Sequence, residues 1–425
     1  MTEQPGQDSR RAALTLLDRV LARRQNLDDA FDGAVPDSLE QRDRSFVRLL
    51  VATTLRRLGQ IDAAIDLCLE KPLTPKARAV RDVLRLGATQ LLFLGTPPHA
   101  AVDGAVDLCV RDLKPYRPLV NAVLRRLARD GDAIRAPQDA ARLNTPDWLW
   151  DSWTSAYGDA ARAIAAAHLA EAPLDITVKG DAAAFAAPLD ATLLPSGSLR
   201  RPAGGAVDIL PGFAEGAWWV QDAAAALPAR LLGDIVGKTV IDLCAAPGGK
   251  TAQLVAAGGV VTAVDRSASR LGRVQQNLGR LGLAAEIVAA DALVWRPAQR
   301  ADAVLLDAPC SATGTIRRHP DIPYLKSQAD VLKLAALQSR LLEAAAAMLK
   351  PGGVLVYCTC SLQPEEGEAQ AALAAQFGLA PEPIAAAELG LDDDMVRDGV
   401  LRTLPFHWAA RGGMDGFFAA RFRRA

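Results

Sequence analysis

The chain has 425 residues and no apolar run long enough to cross a bilayer, so a membrane-spanning helix is not expected. Charged residues (Asp8, Arg10, Arg11, Asp18, Arg19) stand where a secretory leader needs an apolar block, and the expectation is a soluble, cytoplasmic protein. Histidine is scarce. Only His99, His168, His319 and His407 occur, no two at metal-ligand spacing, and there is no CxxC, so no metal is expected. The six cysteines, Cys68, Cys109, Cys244, Cys310, Cys358 and Cys360, are too sparse for the disulfide framework of a small secreted domain, and each is expected as a free thiol. Net charge is -1, so binding of nucleic acid has to rest on a local patch. Aromatic residues are only 5 % of the chain, which makes the cluster Trp148, Trp150, Trp153 and Tyr157 conspicuous. Stacking on bases is one use for it, and packing is the commoner one.

What is present is ample hydrophobic residue for more than one core, 50 % of a chain longer than single cores usually reach. Three parts are expected. Residues 1–140 read as helices only: Leu14, Leu17, Val20 and Leu21 recur at helical spacing, then Phe46, Leu49, Leu50 and Thr53, then Val80, Val83, Leu84, Leu91 and Leu94, then Leu119, Val123, Leu124 and Leu127. Breaks are expected at Pro36, Pro72, Pro75, Pro97, Pro98, Pro115 and Pro118. The arginines of this part (Arg10, Arg11, Arg23, Arg24, Arg56, Arg57, Arg125, Arg126) suit either an RNA-facing surface or ordinary solvated helix faces. Residues 141–235 mix an alanine-rich helix, the strand-like Leu174 to Val178 and a run rich in Pro and Gly, which suggests a small α+β module. Residues 236–425 are α/β: apolar runs at 239–244, 260–265, 286–291, 303–307 and 353–357 alternate with helical stretches, the pattern of a parallel sheet covered on both faces.

The chemistry is expected at the carboxyl ends of those strands. The first ends in Asp242-Leu-Cys-Ala-Ala-Pro-Gly-Gly-Lys-Thr251, whose paired glycines let a ligand approach the backbone. The GxGxxG fingerprint fails because Ala246 and Pro247 precede the glycines, and a Walker A loop fails because Cys244 takes the place of its first glycine. Asp265 closes the second strand, where it can accept from ribose hydroxyls, and Asp291 closes the third, where it can accept from an adenine amino group. The fourth strand leads into Asp307-Ala-Pro-Cys-Ser-Ala-Thr-Gly314 and the fifth into Tyr357-Cys-Thr-Cys-Ser-Leu-Gln-Pro-Glu-Glu366, so Cys310 and Cys360 are expected to converge. Carbon-5 of cytosine is a poor nucleophile, and a thiolate added at carbon-6 turns the ring into an enamine that can attack a sulfonium methyl. Cys68, Cys109 and Cys244 are expected to pack as small hydrophobes, and Cys358, on the opposite face from its strand neighbours, likewise.

Together DLCAAPGGKT, DAPCSATG followed by Arg317-Arg-His-Pro-Asp-Ile322, and TCSLQPEE resemble the motifs of the RsmB/Sun (Fmu) family of 16S rRNA cytosine carbon-5 methyltransferases. The resemblance extends forward: Leu84 to Leu92, His99 to Val102 and Val120 to Arg126 are similar to that family's NusB-like helical domain. Trp219-Val-Gln-Asp222 and Asp415-Gly-Phe-Phe418 resemble its flanking signatures. The resemblance implies a Rossmann-like catalytic domain using S-adenosyl-L-methionine, preceded by an all-α NusB-like domain and a small α+β module. It further implies that Cys360 is the nucleophile, that Cys310 helps release the product, that Asp307 bonds the cytosine edge and that Lys250 lies near methyl transfer. The loop Cys244, Ala245, Ala246, Pro247, Gly248 and Gly249, with Lys250, Asp265, Arg270, Asp291 and Asp307, is implied as the cofactor cradle. Arg317, Arg318 and His319 are implied beside the target strand. The implied partner is 16S rRNA, naked or in an early assembly intermediate, with the enzyme a monomer. Ala312, where the family usually has glycine, and Gly367, where it commonly has asparagine, depart from the pattern and are not counted as catalytic.

Rivals differ in testable ways. A DNA cytosine methyltransferase uses the Pro-Cys cysteine, here Cys310, as nucleophile; an amino-group methyltransferase carries an Asn/Asp-Pro-Pro-Tyr/Phe loop absent here. Methylation of a tRNA or of 23S rRNA keeps the chemistry and changes the target, whereas a non-catalytic RNA-binding factor has no use for two cysteine motifs.

Overall fold

The computed structural model describes residues 5–425. The chain forms two compact units, one made of the chain up to Ala170 with Ile316–Ser327, the other of Glu171–Thr315 with Gln328–Ala425.

The first unit is helical. Its core joins Leu16, Leu17 and Val20 of the helix Pro5–Leu21 to Val47, Leu50, Val51 and Leu55 of Gln41–Arg56, Val80, Val83 and Leu84 of Arg78–Leu92, and Val120, Val123, Leu124 and Leu127 of Arg117–Arg135. Gln41–Arg56 presents a different row from the expected one. Leu49 is exposed and Phe46 only half-buried, because the seam runs through Val47, Leu50, Val51 and Thr54. Several arginines are engaged inside the unit: Arg10 Nε donates to Gln90, Arg23 to Asp18, Arg57 to the Leu169 carbonyl and Arg125 to Asn121.

The helices Ala140–Leu143, Asp147–Tyr157 and Ala160–Ala167 also belong to this unit, so the stretch 141–235 is shared between the two units. The tryptophans pack. Trp153 is buried with its ring 5.2 Å from that of His168, and Trp150 lies against the guanidinium groups of Arg142 and Arg162. The segment Ile316–Ser327, although it follows a catalytic motif in sequence, is held by the helical unit. Asp321 accepts from Leu27 N in the first turn of the helix Leu27–Ala34 at 2.9 Å, Tyr324 donates to the Leu55 carbonyl at 3.0 Å, and Arg24 and Arg56 donate to the carbonyls of Leu325 and Arg317 at 2.8 and 2.9 Å. His319 sits 3.4 Å from Asp28, and its hydrogen bond holds that carboxyl below the usual range. Arg317 is only 1 % exposed; the place implied for it beside a nucleic acid strand does not fit a guanidinium turned into the protein.

The second unit contains two sheets. The smaller is antiparallel, in the order β2-β3-β1-β4, from β1 (Leu174–Val178), β2 (Thr192–Leu193), β3 (Leu199–Arg201) and β4 (Trp218–Val220). The larger is built on five parallel strands, β5 (Thr239–Leu243), β6 (Val260–Asp265), β7 (Glu286–Ala289), β8 (Ala301–Asp307) and β9 (Leu349–Thr359), in the spatial order β9-β8-β5-β6-β7. Strand order reverses between β5 and β8, which opens a crevice at the carboxyl ends. The sheet is mixed where an all-parallel one was expected. Beyond β9 lie β13 (Phe417–Arg424), antiparallel to it, then β12 (Val400–Thr403) and β11 (Val396–Arg397), while β10 (Leu379–Pro381) also pairs with β13. Side chains of β13 alternate between two cores: Phe418, Ala420 and Phe422 pack with Leu306 and Tyr357 on one face, and Phe417 and Ala419 with Leu305, Val356 and Cys358 on the other.

His168 gives the helical unit a pH dependence. Burial, reinforced by the charge of Arg317, pushes its pKa down to about 3, and its Nε2 has no hydrogen-bond partner. The unfolded chain binds this proton near pH 6.5 and the folded chain does not, so stability is intact above pH 6.5 and falls below it. In urea unfolding followed between pH 6.5 and pH 5, this residue is expected to contribute a loss of about 1.5 kcal/mol that His168→Gln lacks. Equal pH slopes in the two proteins contradict a buried neutral imidazole.

Candidate active site

The loop after β5 is shaped by its glycines. Gly248 has φ 101° as N-cap of the helix Gly249–Ala256, and a Cβ there meets Val274 at 3.0 Å, so the position requires glycine. Cys244 holds a left-handed φ of 61°. Burial pushes its thiol up to about 12, consistent with packing. Asp265 is buried at the end of β6, accepting from Ala246 N at 3.3 Å and Ser267 N at 2.9 Å. Arg270 lies 3.7 Å from Asp265 and donates to the Ala246 carbonyl at 2.6 Å, which braces the loop Cys244 to Gly249 from the next helix, Ala268–Leu281. Asp291, two residues past β7, is exposed and accepts from Leu293 N at 2.9 Å. All of these stand along one edge, at the carboxyl ends of β5, β6 and β7.

The second cluster stands over β8 and β9, whose ladder ends with Asp307 opposite Cys358. Cys310 Sγ and Cys360 Sγ are 3.5 Å apart. The hydrogen bond that the Cys310 thiol donates to Cys360, and then burial, raise it well above its usual pKa. Lys250 Nζ is 2.8 Å from Asp307 Oδ2 and 4.8 Å from the centre of the Phe417 ring. Burial opposes its charge, yet the Asp307 carboxylate outweighs that and holds the ammonium above the usual lysine pKa. Thus Lys250 is a buried, charged member of the site. Cys358 is fully buried among Leu305, Val356 and Phe417, as packing demands, but its Sγ also reaches Asp307 Oδ1 at 3.5 Å.

Below the thiols lies Glu366, fully buried. Its Oε1 accepts from Ser311 N at 2.9 Å and Gln338 Nε2 at 3.1 Å; its Oε2 accepts from Ser361 Oγ at 2.5 Å and from Ser311 Oγ. Burial raises its pKa. The signature around Asp415 supplies the back wall: Gly416 N donates to the Gly314 carbonyl at 2.9 Å, Gly314 N to the Cys360 carbonyl at 3.0 Å, and a Cβ on Gly314 falls 1.9 Å from the Gly416 oxygen.

Sequence reasoning missed the anchoring by Glu366, Ser311 and Ser361, the contribution of Gln338 from the helix Gln328–Ala347, and the ring of Phe417 under Lys250. The PEE and DGFF motifs marked the places without revealing these contacts, and Gln338 carried no signal at all. Of the two departures from the family pattern, the one at Gly367 has a local reason and the one at Ala312 runs against its backbone. Ala312 has φ 59°, a left-handed backbone that glycine adopts without cost. At Gly367 a Cβ lies 2.4 Å from an Arg402 guanidinium nitrogen, which occupies the space a side chain needs.

Residues 230–423 match the family described as 16S rRNA methyltransferase RsmB/F, and residues 7–129 match the NusB family. The ribosomal RNA small subunit methyltransferase B of Vibrio cholerae is 37 % identical over 382 residues, 85 % of this chain and 87 % of its own length. That of Escherichia coli O1:K1 is 37 % identical over 381 residues, 85 % and 88 % of the two chains. Among solved structures, PH0851 covers 100 % of both chains with TM-score 0.73 at 23 % identity, a likeness of fold. A methyltransferase homolog from Pyrococcus horikoshii covers 65 % of this chain and 94 % of its own with TM-score 0.54 at 27 % identity. With a NusB-type helical domain preceding a Rossmann-like methyltransferase domain and full-length relatives above one third identity, the chain belongs to the RsmB/F family of 16S rRNA methyltransferases.

Proposed function

We propose that this protein methylates carbon-5 of one specific cytosine in small-subunit rRNA, with S-adenosyl-L-methionine as methyl donor and a covalent bond from Cys360 to the base as intermediate. The observation that carries this reading is the pair of thiols 3.5 Å apart beside the Lys250–Asp307 ion pair. A methyltransferase acting on an amino nitrogen or a ribose hydroxyl has no use for two thiols at that place.

The residues along the carboxyl edge fit the donor. Asp265 and Asp291 offer acceptors to the hydroxyls of a ribose and to an adenine amino group, beside the glycine turn that precedes Lys250 at the carboxyl edge. When bound there, S-adenosylmethionine supplies an electrophilic methyl group on its sulfonium. Cys360 acts as nucleophile: its thiolate adds to carbon-6, and the electron pair of the ring double bond moves to carbon-5, which becomes the methyl acceptor. Asp307 holds the cytosine edge by accepting from its amino group, and Lys250 fixes the Asp307 carboxylate in place at 2.8 Å. Cys310 assists loss of the carbon-5 proton. As that proton leaves, the ring double bond reforms, the carbon-6 to sulfur bond breaks and Cys360 departs as thiolate. The base must leave its stack to meet a thiol over its ring face, which favours a looped or opened rRNA segment over an intact helix. The proposed place of action is the cytoplasm, with the chain acting as a monomer on 16S rRNA, naked or in an early assembly intermediate.

Two outcomes are expected. Asp265→Ala and Asp291→Ala each remove hydrogen bonds worth on the order of 1 to 3 kcal/mol, weakening S-adenosylmethionine binding about tenfold by calorimetry; unchanged affinity in both folded variants removes them from the site. Bisulfite sequencing of rRNA from cells lacking the gene is expected to show one small-subunit methylcytosine missing, restored by the wild-type gene and not by Cys360→Ala. Intact small-subunit rRNA with a change in tRNA or 23S rRNA contradicts the target.

A further inference from the structure

The strand ladder does not by itself hold the two thiols together. It ends at Asp307 and Cys358, with Ala308 N donating to the Cys358 carbonyl at 3.0 Å, and past it the loops meet through separate bonds, Gly314 N to the Cys360 carbonyl at 3.0 Å, Leu362 N to Thr313 Oγ1 at 3.0 Å and the Ser311 and Ser361 hydroxyls 3.1 Å apart. Cys310 lies three residues beyond one strand end and Cys360 one residue beyond the other. The residue following each cysteine is a serine, Ser311 or Ser361, and both hydroxyls end on one carboxylate, that of Glu366. The helix Gln328–Ala347 contributes a third attachment through Gln338.

A carboxylate suits this junction. Its two oxygens accept from four neutral donors: Ser311 N, the Ser311 and Ser361 hydroxyls and the Gln338 amide. An ionised carboxylate is an acceptor only, with about four lone-pair directions. Burying it is costly unless each direction is used, and here the donors come from both cysteine loops. Glu366 also approaches neither thiol by hydrogen bond, which separates it from the reacting groups.

We propose that Glu366 is a positioning residue that sets the spacing of Cys310 and Cys360 by tying Ser311 to Ser361. This rests on the reading of the two cysteines as the catalytic pair, but its direct test needs neither RNA nor methyl donor. A glutamine at 366 keeps the tie, because its oxygen serves Ser311 N and Gln338 while its amide donates to the serine hydroxyls, which rotate to accept. Alanine removes the carboxylate that joins these donors, leaving the serine hydroxyls only each other, 3.1 Å apart, and Thr313 as acceptors, and leaving Gln338 only the Pro309 carbonyl.

The test follows formation of the Cys310–Cys360 disulfide in the full chain treated with diamide, quantified by peptide mapping. In Glu366→Ala the rate is expected to fall at least about fivefold, because exchange demands approach of one sulfur to the other. Glu366→Gln is expected within about twofold of wild type. Methyl transfer by Glu366→Ala is expected to lose at least about tenfold in kcat with KM for rRNA changed less than about threefold, since a shift of the order of an ångström acts on the reacting geometry. A wild-type disulfide rate in Glu366→Ala, or a rate in Glu366→Gln as slow as in Glu366→Ala, overturns the proposal. Should Glu366→Ala not fold, the Ser311→Ala/Ser361→Ala double variant removes both hydroxyl ties while Ser311 N and Gln338 still donate to the carboxylate, and its disulfide rate must fall at least about threefold. A slowed disulfide with unimpaired methyl transfer upholds the tie and defeats the catalytic reading of the pair.

Discussion

The parallel pairing of β8 with β9 is the constraint on which the rest depends. In a parallel sheet, strands that are neighbours deliver their carboxyl-end loops to the same place, and the register that sets Asp307 against Cys358 puts Cys310 and Cys360 over one spot. Chain order alone did not dictate this adjacency: the long helix Gln328–Ala347 lies between the two strands. A one-residue slip turns every strand side chain to the other face. Both strands are therefore locked by apolar residues on both faces, with Leu306 and Tyr357 in one core and Leu305 and Val356 in the other.

On that frame, charge is arranged in opposite ways at two buried sites. Lys250 and Asp307 form an ion pair at 2.8 Å beside the thiols. Glu366 is surrounded by neutral donors instead. The first arrangement sets one charge against another; the second uses a buried acceptor to fasten backbone segments, a role in which an unmade hydrogen bond is expensive. Asp242, buried beneath the glycine loop, shows the cost in a third form: burial pushes its pKa up to about 7, with Thr251 donating to it at 2.6 Å.

Much of this was legible in the sequence, and the reason is locality. Apolar runs bounded by Gly, Pro and Asp mark β5 to β9, and the residues just past each run are the ones the crevice presents. The convergence of Cys310 with Cys360 followed from placing both after neighbouring strands. What stayed hidden depends on partners far away in the chain. The strand β13 buries both of its faces and ends in arginines, so Phe417 to Arg424 show no alternation of polar with apolar residues. The helix Gln41–Arg56 has enough apolar residues for two rows, and only packing against Pro5–Leu21 and Arg78–Leu92 selects Val47 and Leu50 over Phe46 and Leu49. Ile316–Ser327 follows a catalytic motif yet is held in the helical unit by Asp321 and Tyr324. No local pattern announces such a departure.

The central claim is that Cys360 carries the base and Cys310 releases it. The most direct measurement is to incubate the Cys310→Ala protein with small-subunit rRNA and S-adenosylmethionine, isolate the denaturation-resistant species and sequence its peptides by tandem mass spectrometry. Such a species is expected to accumulate, with the methylated nucleotide attached to Cys360. A nucleotide on any other cysteine, or an adduct that persists when Cys360 is replaced by alanine, contradicts it.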